Sequence, residues 1–217
     1  FPVDLRARPA HGRAMDQTAI FQRATACTSA IAAMWAAPMF AAMMDGHIDT
    51  AMDQAAFLAQ CGHESSGFRY SAEIWGPTPA QVRYERNPDA AWPPTRADDR
   101  NLKAFALGND QPGDGRRFRG HGPIQLTGRS NYAIAGKALG LDLVGHPDLL
   151  DELDVGCMIS AWYWHRHGLT MLANAGEFDR ITCAINLGNP NADIAHANGV
   201  DDRRRRWAIA KAAMGLT

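Results

Sequence analysis

The chain has 217 residues, 46% of them apolar and 21% charged, which reads as an ordinary globular domain with one sizeable core or two small lobes. Its 22 Lys and Arg stand against 23 Asp and Glu, so no global basic field argues for a nucleic-acid partner. Four cysteines without a C-x-x-C pair exclude a zinc ribbon and a disulfide scaffold, and Cys61 and Cys183, inside apolar segments, are expected as buried free thiols.

Residues 1–14 hold Pro2, Pro9 and Gly12 among scattered arginines. They are expected to form an arm or linker ahead of a single domain over 15–217. The Phe1-Pro2 start suggests a processed product or a fragment. Asp16 can cap a helix running to about Ala37. The apolar run Ala30 to Met44 has only 15 residues, short for a membrane span and far from the N-terminus for a signal peptide. Pro38 is expected to break or kink it. Thr50 can cap a further helix, in which Ala51, Ala55, Leu58 and Gly62 recur at helical spacing, with Gly67 as a stop.

Between Ser71 and Gly122, six prolines leave helix only in short pieces, at 79–84 and 100–107. So long an irregular stretch is more often a functional wall or lid than a connector. Helices are predicted near 130–139, 147–150, 155–167, 178–186 and 201–214, and a short hairpin at 117–127. The fold class is mainly α, a single domain divisible into two helical lobes.

Two acids carry the chemistry. Glu64 stands near a helix C-terminus, where the negative end of the dipole favours a protonated carboxyl, the state a general acid needs. Glu73 follows nine residues later, across the Gly67 turn, which can bring it back opposite Glu64. Two carboxyls roughly 6.5–9.5 Å apart can cut a glycosidic bond with inversion, one protonating the leaving oxygen and the other activating water. The spacing alone is common among surface carboxylates. His63-Glu64 does not open a zinc-protease helix, because the second histidine position is Gly67. Further along, residues 116–132 read RRFRGHGPIQLTGRSNY, with three glycines in nine residues that let backbone approach a ligand. Gln125, Thr127 and Asn131 match sugar hydroxyls and N-acetyl groups, and Tyr132 could stack on a sugar face.

FLAQCGHESSGF, GDGRRFRGHGPIQLTGRSNY and ITCAINLGN, in this order, resemble family 19 glycoside hydrolases, and within them phage endolysins more than plant chitinases. The resemblance spans about residues 50–214. It implies a lysozyme-like two-lobed helical domain with a central cleft, acting by inversion without metal or organic cofactor. It implies Glu64 as general acid, Gln125 and Thr127 as substrate contacts on the cleft floor, and Asn186 as a further sugar contact. Glu73 fits the endolysin spacing of the second acid; Glu85, at +21, fits the plant spacing. Thr78 could orient the water, or simply cap the short helix after it. Two positions depart from the pattern: His121 replaces an arginine, which makes the local charge pH dependent, and Leu187 replaces a glycine.

Other features have plainer readings. Arg203 to Arg206 are expected on a solvated basic helix face behind Asp201 and Asp202. Arg116, Arg117 and Arg119 are better placed to meet wall-peptide carboxylates. Trp162, Trp164 and His165 are expected in the core, while Trp75 and Trp92 could stack on sugars. The resemblance implies an endolysin that hydrolyses the β-1,4 bond between N-acetylmuramic acid and N-acetylglucosamine, made in a host cytoplasm from a phage gene and acting on the periplasmic wall. Its partner would be peptidoglycan glycan strands, with no nucleic acid and no stable membrane insertion, as a monomer. The alternatives are a chitinase and a wall-binding module without turnover.

Overall fold

The computed structural model describes residues 14–95 and 100–217; the expected N-terminal arm lies outside the described residues. Chain order begins with α1 (Ala14–Thr25), α2 (Ser29–Asp45) and α3 (Ala51–Glu64). The single helix expected from Asp16 to Ala37 is two helices bent by 114°, and Asp16 sits inside the first rather than capping it. The break falls at 26–28. Ala26 takes φ +52°, and Thr28 Oγ1 then accepts from Ile31 N at 3.3 Å to start α2. Pro38, expected to interrupt, lies inside a continuous α2. The proline removes one donor, and burial of Trp35, Met39 and Met43 along that helix holds its path. Thr50 caps α3 as predicted, accepting from Asp53 N at 3.1 Å. Among the described residues, no single helix is long and apolar enough to cross a membrane.

Helix α3 ends at Glu64, and the chain then doubles back through Ser66, Gly67 and Phe68, all at positive φ. That turn plants the Phe68 ring 5.0 Å from Phe21 and 5.6 Å from Trp35. A fully buried aromatic ring of this kind stabilises by about 1.5–3 kcal/mol, enough to hold a left-handed non-glycine residue in place.

The irregular middle contains only short helices: α4 (Pro79–Val82), α5 (Leu102–Leu107) and α6 (Asp114–Arg117), then the longer α7 (Arg129–Leu139). A 3-10 turn over Pro147–Asp151 leads into α8 (Leu153–Arg166), α9 (Leu169–Asn174), α10 (Phe178–Leu187), a 3-10 turn at Ile194–His196, and α11 (Val200–Ala213). The expected hairpin survives as single bridges: His121 N donates to Leu126 O (3.1 Å) and Leu126 N to His121 O (2.9 Å). Residues 71–73 lie on its other edge, with Gly122 N donating to Ser71 O (2.6 Å) and Glu73 N to Gly120 O (2.7 Å).

Two apolar clusters give the molecule its lobes. The larger joins α1–α3 with α8–α11; the smaller gathers Phe118, Leu126, Tyr132, Leu143, Leu150 and Ile159. Helix α8 serves both, offering Cys157 and Trp164 to one and Ile159 to the other. Gly122, at φ +72°, lets the hairpin press against α8, since a Cβ there would meet Gly156 O at 3.2 Å. The four cysteines are free, and Cys61 and Cys183 are buried as expected. Trp164 is core, donating to the buried Asp53 carboxylate at 2.8 Å, whereas His165 is exposed.

Candidate active site

A cavity of about 340 Å³ opens between the lobes. Glu64, Ile185 and Asn186 line it from the larger lobe; Glu73, Tyr84, Gln125 and Thr127 line it from the smaller. The structure therefore brings both sequence-predicted acids and three of the predicted sugar contacts to one space.

Glu64 is fixed by its helix and by one cation. It is the last residue of α3, its side chain 19% exposed, and it pairs with the Arg203 guanidinium, which is 1% exposed. Arg203 also donates to Gln60 Oε1 and, from Nε, to Asn198 O at 3.2 Å. Gln60 in turn donates to Thr182 Oγ1 at 2.8 Å, so α3, α10 and α11 share one buried polar network. A guanidinium this deeply buried is tolerable only because each of its nitrogens has an acceptor. Beside it, Asp202 collects His63 Nδ1 (2.8 Å), Arg206 Nε (2.7 Å) and Arg205. Burial disfavours its charge, but these donors outweigh burial and hold Asp202 well below the usual carboxylate range.

Glu73 is held by a different device. Gln81 Nε2 donates to Oε1 at 3.0 Å, and Gly120 N donates to Oε2 at 3.2 Å. Gln81 is buried and fully engaged. It also donates to Ile74 O (2.8 Å), while its carbonyl accepts from Gly76 N (3.2 Å) and Thr78 N (2.8 Å). Arg119 Nε anchors the Glu73 carbonyl at 3.0 Å. Gly120 must lack a side chain, because a Cβ would stand 2.5 Å from Gln125 Oε1 and 3.3 Å from Thr127 Oγ1. Each acid has a phenol nearby. Burial raises Tyr163 to about 12, with the Glu64 charge adding, and burial followed by the Glu73 charge raises Tyr84.

The amides complete the cavity. Gln125 sits at φ +58°, a left-handed conformation that costs a non-glycine residue about 1 kcal/mol and is commonest at functional sites. Thr127 Oγ1 donates to Gln125 O at 2.9 Å. Asn186 Oδ1 accepts from Asn198 N at 2.9 Å, which leaves its NH₂ without a partner among the described residues. Leu187 in place of glycine costs nothing, because α10 runs through it and turns at Gly188, φ +71°.

Other expectations need correction. Tyr132 cannot stack on a sugar: it is fully buried, edge-on to Phe118 at 5.2 Å, with its hydroxyl donating to Arg119 O at 2.7 Å. Thr78 does not line the cavity; it forms a capping box with Gln81. Glu85 lies in another pocket, its carboxylate taken by Gly113 N (3.1 Å) and Arg116 N (2.9 Å). Trp92 packs against Phe105 and under Arg86, away from the cleft. Arg203 is not on a solvated face. The signal for it was the helical spacing of Arg203, Trp207 and Ala210, which turns one side of α11 inward, and the run of four arginines hides it. Gln81 was missed because a buried amide in a proline-rich segment carries no spacing signature. Among the described residues, no cluster of His, Cys, Asp and Glu has the geometry to hold a metal.

The sequence model of glycoside hydrolase family 19, described as class I chitinase, matches residues 16–171. A family 19 domain-containing protein of Haemophilus influenzae is 34% identical over 169 residues, 70% of this chain and 75% of that protein. An acidic 27 kDa endochitinase of Solanum lycopersicum is 37% identical over 111 residues, and the match spans 35% of its length. In three dimensions the chain is similar to chitinase C of Streptomyces griseus (TM-score 0.64, 21% identity, 97% of this chain and 80% of that one). It is also similar to a class IV chitinase of Zea mays (TM-score 0.60, 18% identity, 92% of each chain). At these identities the structural likeness speaks for the fold. Sequence, fold and cleft agree: the chain belongs to glycoside hydrolase family 19 and is an enzyme that hydrolyses glycosidic bonds.

Proposed function

We propose that the chain is an endolysin-type muramidase, hydrolysing the β-1,4 bond between N-acetylmuramic acid and N-acetylglucosamine with inversion. The observation that supports the reading is that Glu64, from the larger lobe, and Glu73, from the smaller, line one cavity together with Gln125 and Asn186. Glu64 gives its proton to the bridging oxygen as the bond from that oxygen to the anomeric carbon breaks. Glu73 takes a proton from water, whose oxygen attacks the same carbon from the opposite face. Arg203 faces the carboxylate left on Glu64, a fixed charge that needs no reorganisation as the proton leaves. Gln125, Thr127 and Asn186 hold the N-acetyl and hydroxyl groups. The same reading has a phage-encoded monomer made in the host cytoplasm and acting on the periplasmic wall; the endolysin-like motifs and the nine-residue acid spacing support it.

Chitin is the second reading, favoured by the likeness to the Solanum lycopersicum endochitinase. Mass spectrometry of products from bacterial wall and from chitin hexamer, digested side by side, separates the two. Reducing-end N-acetylmuramic acid from wall is the expected result; release of chitin dimers and trimers with wall untouched would make the enzyme a chitinase.

A further inference from the structure

Beside the cleft lies a second pocket, of about 460 Å³, that the hydrolysis does not use. Arg119 of this second pocket donates from Nε at 3.0 Å to the carbonyl of Glu73, which lines the catalytic cavity. Trp75 lines the second pocket with its ring centroid 6.4 Å from that of Tyr84, which lines the catalytic cavity. The two pockets therefore adjoin along the Trp75–Tyr84 pair.

Most charges around this pocket are committed. Glu85 accepts two backbone N–H groups. Arg117 donates to Val144 O (2.8 Å) and Gly145 O (3.1 Å). Arg119 donates to Glu73 O (3.0 Å) and Arg116 O (3.1 Å). His121 is buried and faces Asp151 across 3.6 Å. Two exposed groups on the pocket have no side-chain partner among the described residues: the Arg116 guanidinium and the Asp148 carboxylate. One free cation and one free anion share a space with an indole and the ring of Pro147. Three guanidiniums and three carboxylates line the pocket, so its charge is balanced and favours neither a polyanion nor a polycation, and a neutral sugar chain would leave both free charges unmatched.

We propose that this pocket binds a zwitterionic peptide branch of the glycan, a segment with both a free carboxylate and a free ammonium such as a diamino-acid stem peptide. Arg116 meets the carboxylate, Asp148 meets the ammonium, and Trp75 covers the aliphatic stem. The proposal rests on the wall reading above and deepens it, since it makes the peptide part of what the enzyme recognises.

The test uses three soluble substrates: wall glycan strands with stem peptides intact, the same strands stripped by an amidase, and chitin hexamer. The wild-type enzyme is expected to show a KM about tenfold lower on intact than on stripped strands. Arg116→Ala and Asp148→Asn are each expected to erase most of that preference; both sites are exposed, and thermal melts verify that the fold is kept. A wall-active enzyme that treats intact and stripped strands alike, or variants that keep the preference, would overturn the pocket assignment alone. Cleavage of chitin hexamer with both wall substrates untouched would overturn the wall reading, and the peptide site with it.

Discussion

Glu73 lines the same cavity as Glu64, whereas Glu85 lies in the neighbouring pocket with both oxygens taken by loop N–H groups, so the two acids compete for the role of base on unequal terms. Glu73→Gln is expected to lower kcat by about 10²–10⁴-fold and Glu85→Gln by less than about tenfold. The reverse order in steady-state rates on soluble wall glycan strands would exchange their roles. Gln81 acts through Glu73, as a positioning residue. Gln81→Met leaves the carboxylate without its side-chain donor and two loop N–H groups without an acceptor, a loss of about 1–3 kcal/mol. A drop in kcat with KM nearly constant is the expected signature, because the amide lies behind the acid rather than against substrate. A purely structural role would lower Tm and leave kcat of the folded fraction intact.

On the scale of helices, the α3–α11 contact decides whether Glu64 stays aimed. Arg203 reaches Glu64, Gln60 and Asn198 with three different nitrogens, and no lysine can reproduce that fork. Arg203→Lys is expected to cost about 3 kcal/mol, the lower end for breaking a buried pair because Glu64 is partly hydrated. That corresponds to roughly 6–12 °C in Tm by calorimetry, together with lost activity. The hairpin brings a pH dependence. Burial, ahead of the Arg119 charge, pushes the pKa of His121 below 6.5, and Asp151 offsets this only in part. The native state thus favours neutral imidazole. Its contribution to stability is complete above pH 6.5 and is lost as pH falls through the lowered folded value. Tm should fall between pH 7 and pH 5 in the wild type and fall less in His121→Gln; equal slopes would remove His121 as the cause. Helix α3 was legible because Thr50, the apolar spacing and the Gly67 turn all agree. The 26–28 break was not, because nothing in Ala26-Cys27-Thr28 announces a left-handed residue, and a proline tolerated inside α2 drew the expectation elsewhere.

For the whole molecule, the cleft exists because two apolar clusters share α8 and each sends polar groups to the seam. Local chemistry named Glu64, Glu73, Gln125 and Thr127, and the family resemblance added Asn186. What supports them was hidden, because Arg203, Gln81 and Gly120 work through contacts between segments far apart in the chain. Tyr132 shows the converse: an aromatic beside a glycine-rich loop looked like a sugar platform, yet the small lobe needed its ring for a core. The central claim is that Glu64 and Glu73 act together from opposite faces of one sugar. Proton NMR of the first products from soluble wall glycan strands tests it directly, before mutarotation scrambles the anomers. Inversion of the β-linked bond yields the α-anomer at the new reducing end; the β-anomer in that first spectrum would contradict it.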